Sequence, residues 1–195
     1  MTSGGRCVKL GHVDADAIAD DLASVLYTPE QIRERVVVLA GQIDKDYAGK
    51  DPLLVGVLNG AVMIMADLCR ELSIDCEMDW MAVSSYGSGT KSSGVVRFLK
   101  DLSVDIHDRH VLVVEDIIDT GLTLSWLLSN LASRQPASLE VAAMFRKPEA
   151  VRTTIDCRYI GYDIPNEFVV GYGLDYDGHY RNFKGLGVLR PEVYS

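Results

Sequence analysis

Val111-Leu-Val-Val-Glu-Asp-Ile-Ile-Asp-Thr-Gly-Leu-Thr123 decides how this chain is read. Four apolar residues, three of them β-branched, run into the adjacent carboxylates Glu115 and Asp116, then into Asp119 and a Thr/Gly turn. A helical pattern follows at once through Leu124, Trp126 to Leu128 and Leu131. A buried strand that ends in acids and a hydroxyl-rich turn is a costly way to build a core. It suits a metal-bound sugar phosphate well. Carboxylates can meet Mg²⁺ or hydroxyls, while backbone N–H groups at the helix start meet phosphate.

Working outward, strand-like and helix-like segments alternate. Thr28-Pro-Glu-Gln31 predicts a helix start, with a hydroxyl N-cap, proline at the first helical position and Gln closing a capping box. Ile32, Val36, Leu39, Ala40 and Ile43 recur at helical spacing until Tyr47-Ala-Gly49 ends the element. Leu53 to Leu58 is a short continuous apolar run, read as a buried strand, and Asn59-Gly60 is a turn. Ala61 to Leu72 is apolar nearly all round, which predicts a helix packed on several sides. Further strands are expected at Glu77 to Val83, Val95 to Leu99, Leu139 to Phe145, near Tyr159 and at Phe168 to Gly171, with a short helical piece near Glu149. Between two of them, Ser84 to Gly94 holds five Ser and three Gly in eleven residues, the composition of a lid or binding loop. Alternating strands and helices predict an α/β fold, a Rossmann-like, mainly parallel sheet flanked by helices.

Bulk composition narrows the class. At 195 residues, 48% hydrophobic and 24% charged, the chain reads as one globular domain with a real core. A net charge of −9 disfavours a nucleic-acid partner. It leaves room for an anionic small molecule, because a bound Mg²⁺ inverts the local charge of a pocket. No apolar run reaches the roughly 20 residues that span a bilayer, so no membrane partner is expected. Cys7, Cys69, Cys76 and Cys157 show no C-x-x-C spacing, and residues 1 to 12 lack a secretory pattern; reduced thiols in a cytoplasmic enzyme are expected.

Ligands of open parallel sheets collect at the carboxyl ends of strands. Three such ends carry unusual residues: Asn59-Gly60, Glu115 to Thr123, and Arg146-Lys147-Pro148. Glu115 and Asp116 are neighbours on extended chain, so their side chains should diverge rather than clamp one ion together. Ribose hydroxyls and metal-bound waters suit them better, since Mg²⁺ keeps much of its water shell.

Val111 to Thr123 resembles the 13-residue signature of the type I phosphoribosyltransferases, which bind phosphoribosyl pyrophosphate (PRPP). Ser84-Ser-Tyr-Gly87, Phe145-Arg-Lys-Pro148 and Tyr162-Asp-Ile-Pro-Asn-Glu-Phe-Val-Val-Gly-Tyr-Gly-Leu-Asp-Tyr176 are similar to segments of the hypoxanthine-guanine branch of that family. The resemblance runs from about Thr28 to the end of the chain and implies a single domain over 1–195. Its core would cover about 35–165, under a small hood from about 1–30 and 166–195.

It also implies roles. Glu115 and Asp116 would face the ribose hydroxyls and the Mg²⁺ shell. Asp119, Thr120, Gly121, Leu122 and Thr123 would cradle the 5′-phosphate. Asp119 would also act as the catalytic base at N7 of the purine. Lys147 would donate to O6, Phe168 would stack on the ring, and the backbone of Val169 would read its pyrimidine edge. Asp175, beside the purine site, would hold a second Mg²⁺ on pyrophosphate, and Arg181 would contact the pyrophosphate oxygens. Ser85 and Tyr86 would belong to a lid that closes during chemistry. Mg²⁺ is the implied cofactor, hypoxanthine, guanine and PRPP the implied partners, and a homodimer or homotetramer the implied assembly. The family commonly has a basic residue before the glycine of the first core loop, where this chain has Asn59 followed by Gly60; in the family that loop carries a non-proline cis peptide whose backbone meets pyrophosphate. Two other readings compete: a regulatory protein of the same fold that binds nucleic acid, and a xanthine-preferring enzyme.

Overall fold

The computed structural model describes residues 18–85 and 96–195. In chain order its elements are β1 (Leu22–Tyr27), α1 (Pro29–Tyr47), β2 (Leu53–Leu58), α2 (Val62–Glu71), β3 (Glu77–Ser85), β4 (Val96–Lys100), β5 (His110–Ile118), α3 (Leu122–Ala132), β6 (Ser138–Arg146), β7 (Tyr159–Asp163), β8 (Val169–Val170), β9 (Leu186–Leu189) and α4 (Pro191–Tyr194). The predicted start of α1 is present in full. Thr28 Oγ1 accepts from the Gln31 N–H at 3.3 Å, and the Gln31 side chain accepts from the Thr28 N–H at 2.9 Å.

Six strands form one sheet in the order β4-β3-β2-β5-β6-β7. All neighbours run parallel except β4, which returns antiparallel to β3 at one edge. The continuous apolar runs of β2 and β5 occupy the middle because both their faces are covered. Leu54, Leu112 and Val114 pack with Ile32, Val36 and Leu39 of α1 and with Ile64 and Leu68 of α2. Leu53, Val55, Val111 and Val113 pack on the opposite side with Leu124, Leu127 and Leu131 of α3. From β2 the chain crosses to β3 on one side, then returns so that β5 pairs with β2 on the other. The strand order therefore reverses between β2 and β5, and a crevice opens at their carboxyl ends.

A second sheet, β1-β9-β8, is antiparallel and joins segments from opposite ends of the chain. β8 and β9 alternate as a two-faced sheet should. Val169, Leu186 and Val188 enter the main core, while Leu22, Val170 and Leu189 form a small cluster of their own with Phe183. Tyr27 of β1 lies against Tyr162 of β7, ring centroids 3.9 Å apart, which fastens the small sheet to the large one.

Four expectations need correction. The strand does not stop at the acids; β5 continues through Glu115 and Asp116 to Ile118, because β6 keeps pairing with it as far as Ile118 opposite Arg146. The piece near Glu149 is a turn, not a helix. The strand expected at Phe168 to Gly171 shrinks to Val169–Val170. β1 and β9 were not anticipated as strands at all.

Thr28→Ala should lower the thermal midpoint of the protein, because α1 loses its hydroxyl cap, a change worth about 1 kcal/mol. A melting curve unchanged from the parent would show that α1 is held by packing alone.

Candidate active site

Backbone meets backbone where the strand order reverses. The Leu58–Asn59 peptide that leaves β2 is cis. Gly60 follows, and a Cβ there would overlap the Asp116 carboxylate. On its other side Gly173, with φ +101°, packs so closely that a Cβ would overlap the Gly60 carbonyl oxygen. Three separate pieces of chain thus touch at Gly60, through the backbone of Gly173 on one side and the Asp116 carboxylate on the other. Asn59 itself is exposed.

The two neighbouring acids diverge as extended geometry requires. Glu115 is buried, on the face shared by Val111 and Val113, and Asp116 turns to the face of Leu112 and Val114, against Gly60. Burial, and then the charge of Asp116, push the Glu115 carboxyl well above the usual carboxylate range. Burial also pushes Asp116 up to about 6, with Asp175 adding to the rise. The Ile117 N–H, donating to Asp116 Oδ1 at 2.7 Å, and the nearby Arg181 charge pull the other way. Arg181 is itself fixed: its Nη2 lies 2.7 Å from Asp175 Oδ1, and its Nη1 donates to the Gly173 carbonyl at 2.6 Å. Asp175 also accepts from the Gly178 N–H at 2.8 Å.

Beyond β5, Asp119 and Thr120 form a bend and the chain enters α3 through Gly121. Gly121 is the N-cap, in the left-handed region at φ +77°, with its would-be Cβ only 3.1 Å from the Thr153 carbonyl. The sequence suggested a hydroxyl-rich helix start, yet no side chain caps this one. The first N–H groups of α3, those of Leu122 and Thr123 among them, therefore have no partner from a capping side chain, and the positive end of the helix dipole lies bare. That is the form of an anion site. Leu122 points to solvent, and Thr120 and Thr123 are half-buried beside the turn.

Lys147 leaves β6 on the same rim. Its ammonium is buried and lies 3.0 Å from Asp119 Oδ2, while the Lys147 N–H donates to the Ile118 carbonyl at 2.9 Å. Arg146, next to it, is drawn away: its guanidinium grips both oxygens of Asp163 on β7 at 2.7 and 2.9 Å. The structure thus brings Asn59, Gly60, Asp116, Asp175 and Arg181 into one group and places Asp119 with Lys147. Phe168 lies just before β8, half-exposed, with Val169 buried behind it. Ser85 closes β3, while Tyr86 and most of the expected lid lie outside the described residues. Residue-by-residue reading missed two features. Gly173 forms the floor under Gly60, and the close spacing of Gly171-Tyr-Gly173 was the available signal. Tyr194, stacked on Phe168, has no local signal beyond being an aromatic near the chain end.

Residues 24–177 match the family model described as a phosphoribosyl transferase domain. The chain is 53% identical over 201 aligned positions to the hypoxanthine-guanine phosphoribosyltransferase of Mycobacterium tuberculosis, covering all of this chain and 99% of that protein. It is 49% identical over 175 positions to that of Streptococcus thermophilus, covering 90% of this chain and 97% of the other. A crystal structure of a hypoxanthine phosphoribosyltransferase from Staphylococcus aureus superposes with a TM-score of 0.88 at 44% identity, over 91% of this chain and 97% of that one.

The raised carboxylate value gives a test in the ligand-free protein. The folded-state pKa of Asp116 lies above its ordinary value, so ionisation opposes folding; the cost is absent at acid pH and full above about 6. Asp116→Asn should therefore raise the melting temperature at about pH 8 by more than at about pH 4.5. An equal gain at both pH values would contradict the burial of this charge.

Proposed function

The chain belongs to the phosphoribosyltransferase family, in its hypoxanthine-guanine branch, and we propose the division of labour by which its site works. It is a pentosyltransferase of purine salvage, moving the 5-phosphoribosyl group from PRPP to N9 of hypoxanthine or guanine to give IMP or GMP and pyrophosphate.

One observation carries the assignment of roles: Lys147 Nζ and Asp119 Oδ2 stand 3.0 Å apart on the rim. A 6-oxopurine presents O6 and N7 side by side on one edge. An ammonium donor next to a carboxylate acceptor complements O6 next to a protonated N7. Adenine would turn an amino donor toward the lysine and leave it without an acceptor. Asp119 accepts the N7 proton as N9 bonds to C1 of the ribose and the bond from C1 to the pyrophosphate oxygen breaks. The electron pair leaves with pyrophosphate. Phe168 stacks on the base and the Val169 backbone reads its far edge.

The uncapped start of α3, from Gly121 to Thr123 with the Thr120 hydroxyl, receives the 5′-phosphate. Glu115 and Asp116 face the ribose, where carboxylates tolerate the positive charge that grows on the sugar as the leaving group departs. Arg181 and the Asn59-Gly60 backbone address pyrophosphate. The hard oxygen donors of Glu115, Asp116 and Asp175 suit Mg²⁺. Among the described residues no three potential ligands gather into a metal cage, so these carboxylates fit an ion that shares its ligands with substrate oxygens and water. When bound, Mg²⁺ neutralises charge on the pyrophosphate. A lid containing Ser85 and Tyr86 excludes water from the cationic sugar.

The protein works as a homodimer or homotetramer in the cytoplasm; among the described residues no helix is long and apolar enough to cross a membrane. The regulatory reading finds no support in a −9 chain whose Lys147 is buried against Asp119 rather than displayed on a basic face.

Purified protein given hypoxanthine or guanine, PRPP and Mg²⁺ should release pyrophosphate and form the nucleotide; no product with any oxopurine would overturn the reading. Asp119→Asn should lower kcat by about 10²- to 10⁴-fold, the contribution of a positioned base, while PRPP affinity changes far less. An equal loss in both would move Asp119 from proton transfer to phosphate binding. Gly60→Ala should raise the KM for PRPP and lower kcat, because the new methyl must displace Asp116 or the pyrophosphate loop. Unaltered kinetics would remove that loop from the PRPP site.

A further inference from the structure

The end of the chain returns to the site from behind. Phe168 keeps 39% of its surface exposed, yet its ring is held on two sides. Tyr194 lies almost parallel to it, centroids 4.8 Å apart and planes at 24°. Tyr176 meets the same ring edge-on at 5.7 Å and 88°, and the two tyrosines stand 6.4 Å from each other. These are favourable aromatic geometries, and such pairs contribute beyond the area they bury.

Tyr194 is not there by accident of a loose end. Val193 packs on the cluster of Leu22, Val170, Phe183 and Leu189, on the side of the small sheet facing away from the main core. Arg190 donates through Nε to the Leu22 carbonyl at 2.8 Å and through its backbone N–H to the Asp21 carbonyl at 2.9 Å. On the Phe168 side, the Leu189 N–H donates to the Phe168 carbonyl at 2.8 Å. Both partners of the stack are thus tied to β9 or its immediate continuation.

The main core needs none of this, since Phe168 and Tyr194 belong to neither large cluster. Holding an exposed phenylalanine flat has a use if its opposite face must be ready for another ring. We propose that Tyr194 is a positioning residue for the purine: by stacking behind Phe168 it fixes the plane of that ring before the base arrives. The inference rests on Phe168 being the platform for the base, as assigned above. Phe168 precedes a strand of only two residues, so its ring is oriented by its aromatic neighbours, edge-on by Tyr176 and flat by Tyr194. Ordering it in advance removes a cost that each binding event would otherwise carry.

The test is steady-state kinetics of the full-length protein with hypoxanthine varied at saturating PRPP and Mg²⁺, comparing Tyr194→Ala, Tyr194→Leu, Tyr194→Phe and Phe168→Leu. Tyr194→Ala and Tyr194→Leu should each raise the KM for hypoxanthine about three- to tenfold, the scale of one aromatic pair. The KM for PRPP and kcat should hold, and Tyr194→Phe, which keeps the ring, should restore the parent value. A lower KM in Tyr194→Ala would overturn the proposal by showing that the tyrosine stands in the place of the base. A general loss of kcat, PRPP affinity and melting temperature, not rescued by Tyr194→Phe, would overturn it in favour of a purely structural role. If Phe168→Leu raises the KM for hypoxanthine while the Tyr194 variants do not, this inference alone fails. If Phe168→Leu leaves that KM unchanged, the platform assignment fails and takes the inference with it.

Discussion

The close approach of Gly60 to Asp116 is the constraint on which the site depends. Three chain segments, after β2, within β5 and after β8, converge where the strand order of the main sheet reverses, and nothing larger than a hydrogen fits between them. A side chain at 60 or 173 would force the strand ends apart. Parallel packing puts the segments side by side, but only glycine brings them within reach of one small molecule. The fold contributes the crevice, and missing Cβ atoms turn it into a site.

That closeness has an electrostatic consequence. Burial raises the carboxyl pKa of both Glu115 and Asp116; the charge of Asp116 adds to the rise at Glu115, and that of Asp175 to the rise at Asp116. Left alone, such a pair weakens the fold at neutral pH. Arg181 offsets part of this cost at Asp116, while elsewhere on the rim Lys147 pairs with Asp119. On the roles proposed above, the positive charge growing on the sugar and a divalent ion would lower the cost of the ionised acids. Stability is surrendered at these residues in favour of ligand-dependent stabilisation.

The legible parts of the chain share one property: their signals are local. The capping box at Thr28 to Gln31, the apolar run of β2 and the helical spacing of α1 each depend on residues a few places apart, and each is present. β5 was recognised but cut short, since its last residues are strand only through pairing with β6, which sequence periodicity cannot see. β1 and β9 were missed for the same reason, more severely. Leu22–Tyr27 shows no clean alternation, its pairing with β9 contains register shifts, and its partner lies some 160 residues away in the chain. At the start of α3 the two threonines do not reveal which residue caps the helix; Gly121 takes the cap in a left-handed conformation, with no side-chain cap bond.

On the proposed roles, this division follows the two halves of the ligand. The groups proposed for phosphate and ribose sit at the end of the long central strand β5, where local sequence dictates much of the structure and burial enforces rigidity. The proposed base platform, Phe168, sits beside two residues of strand in a sheet assembled from distant segments. A sheet so short gains little from its ladder, so precision there has to come from side chains, and aromatic contacts provide it: Tyr27 on Tyr162 fastens the sheet, and Tyr194 and Tyr176 hold Phe168. On the proposed roles, such a platform would be re-angled by changing Tyr194, which lies outside both large core clusters. Selectivity for the base would then be easier to tune than the handling of the sugar phosphate, whose proposed groups cannot move without moving Gly60 and Asp116.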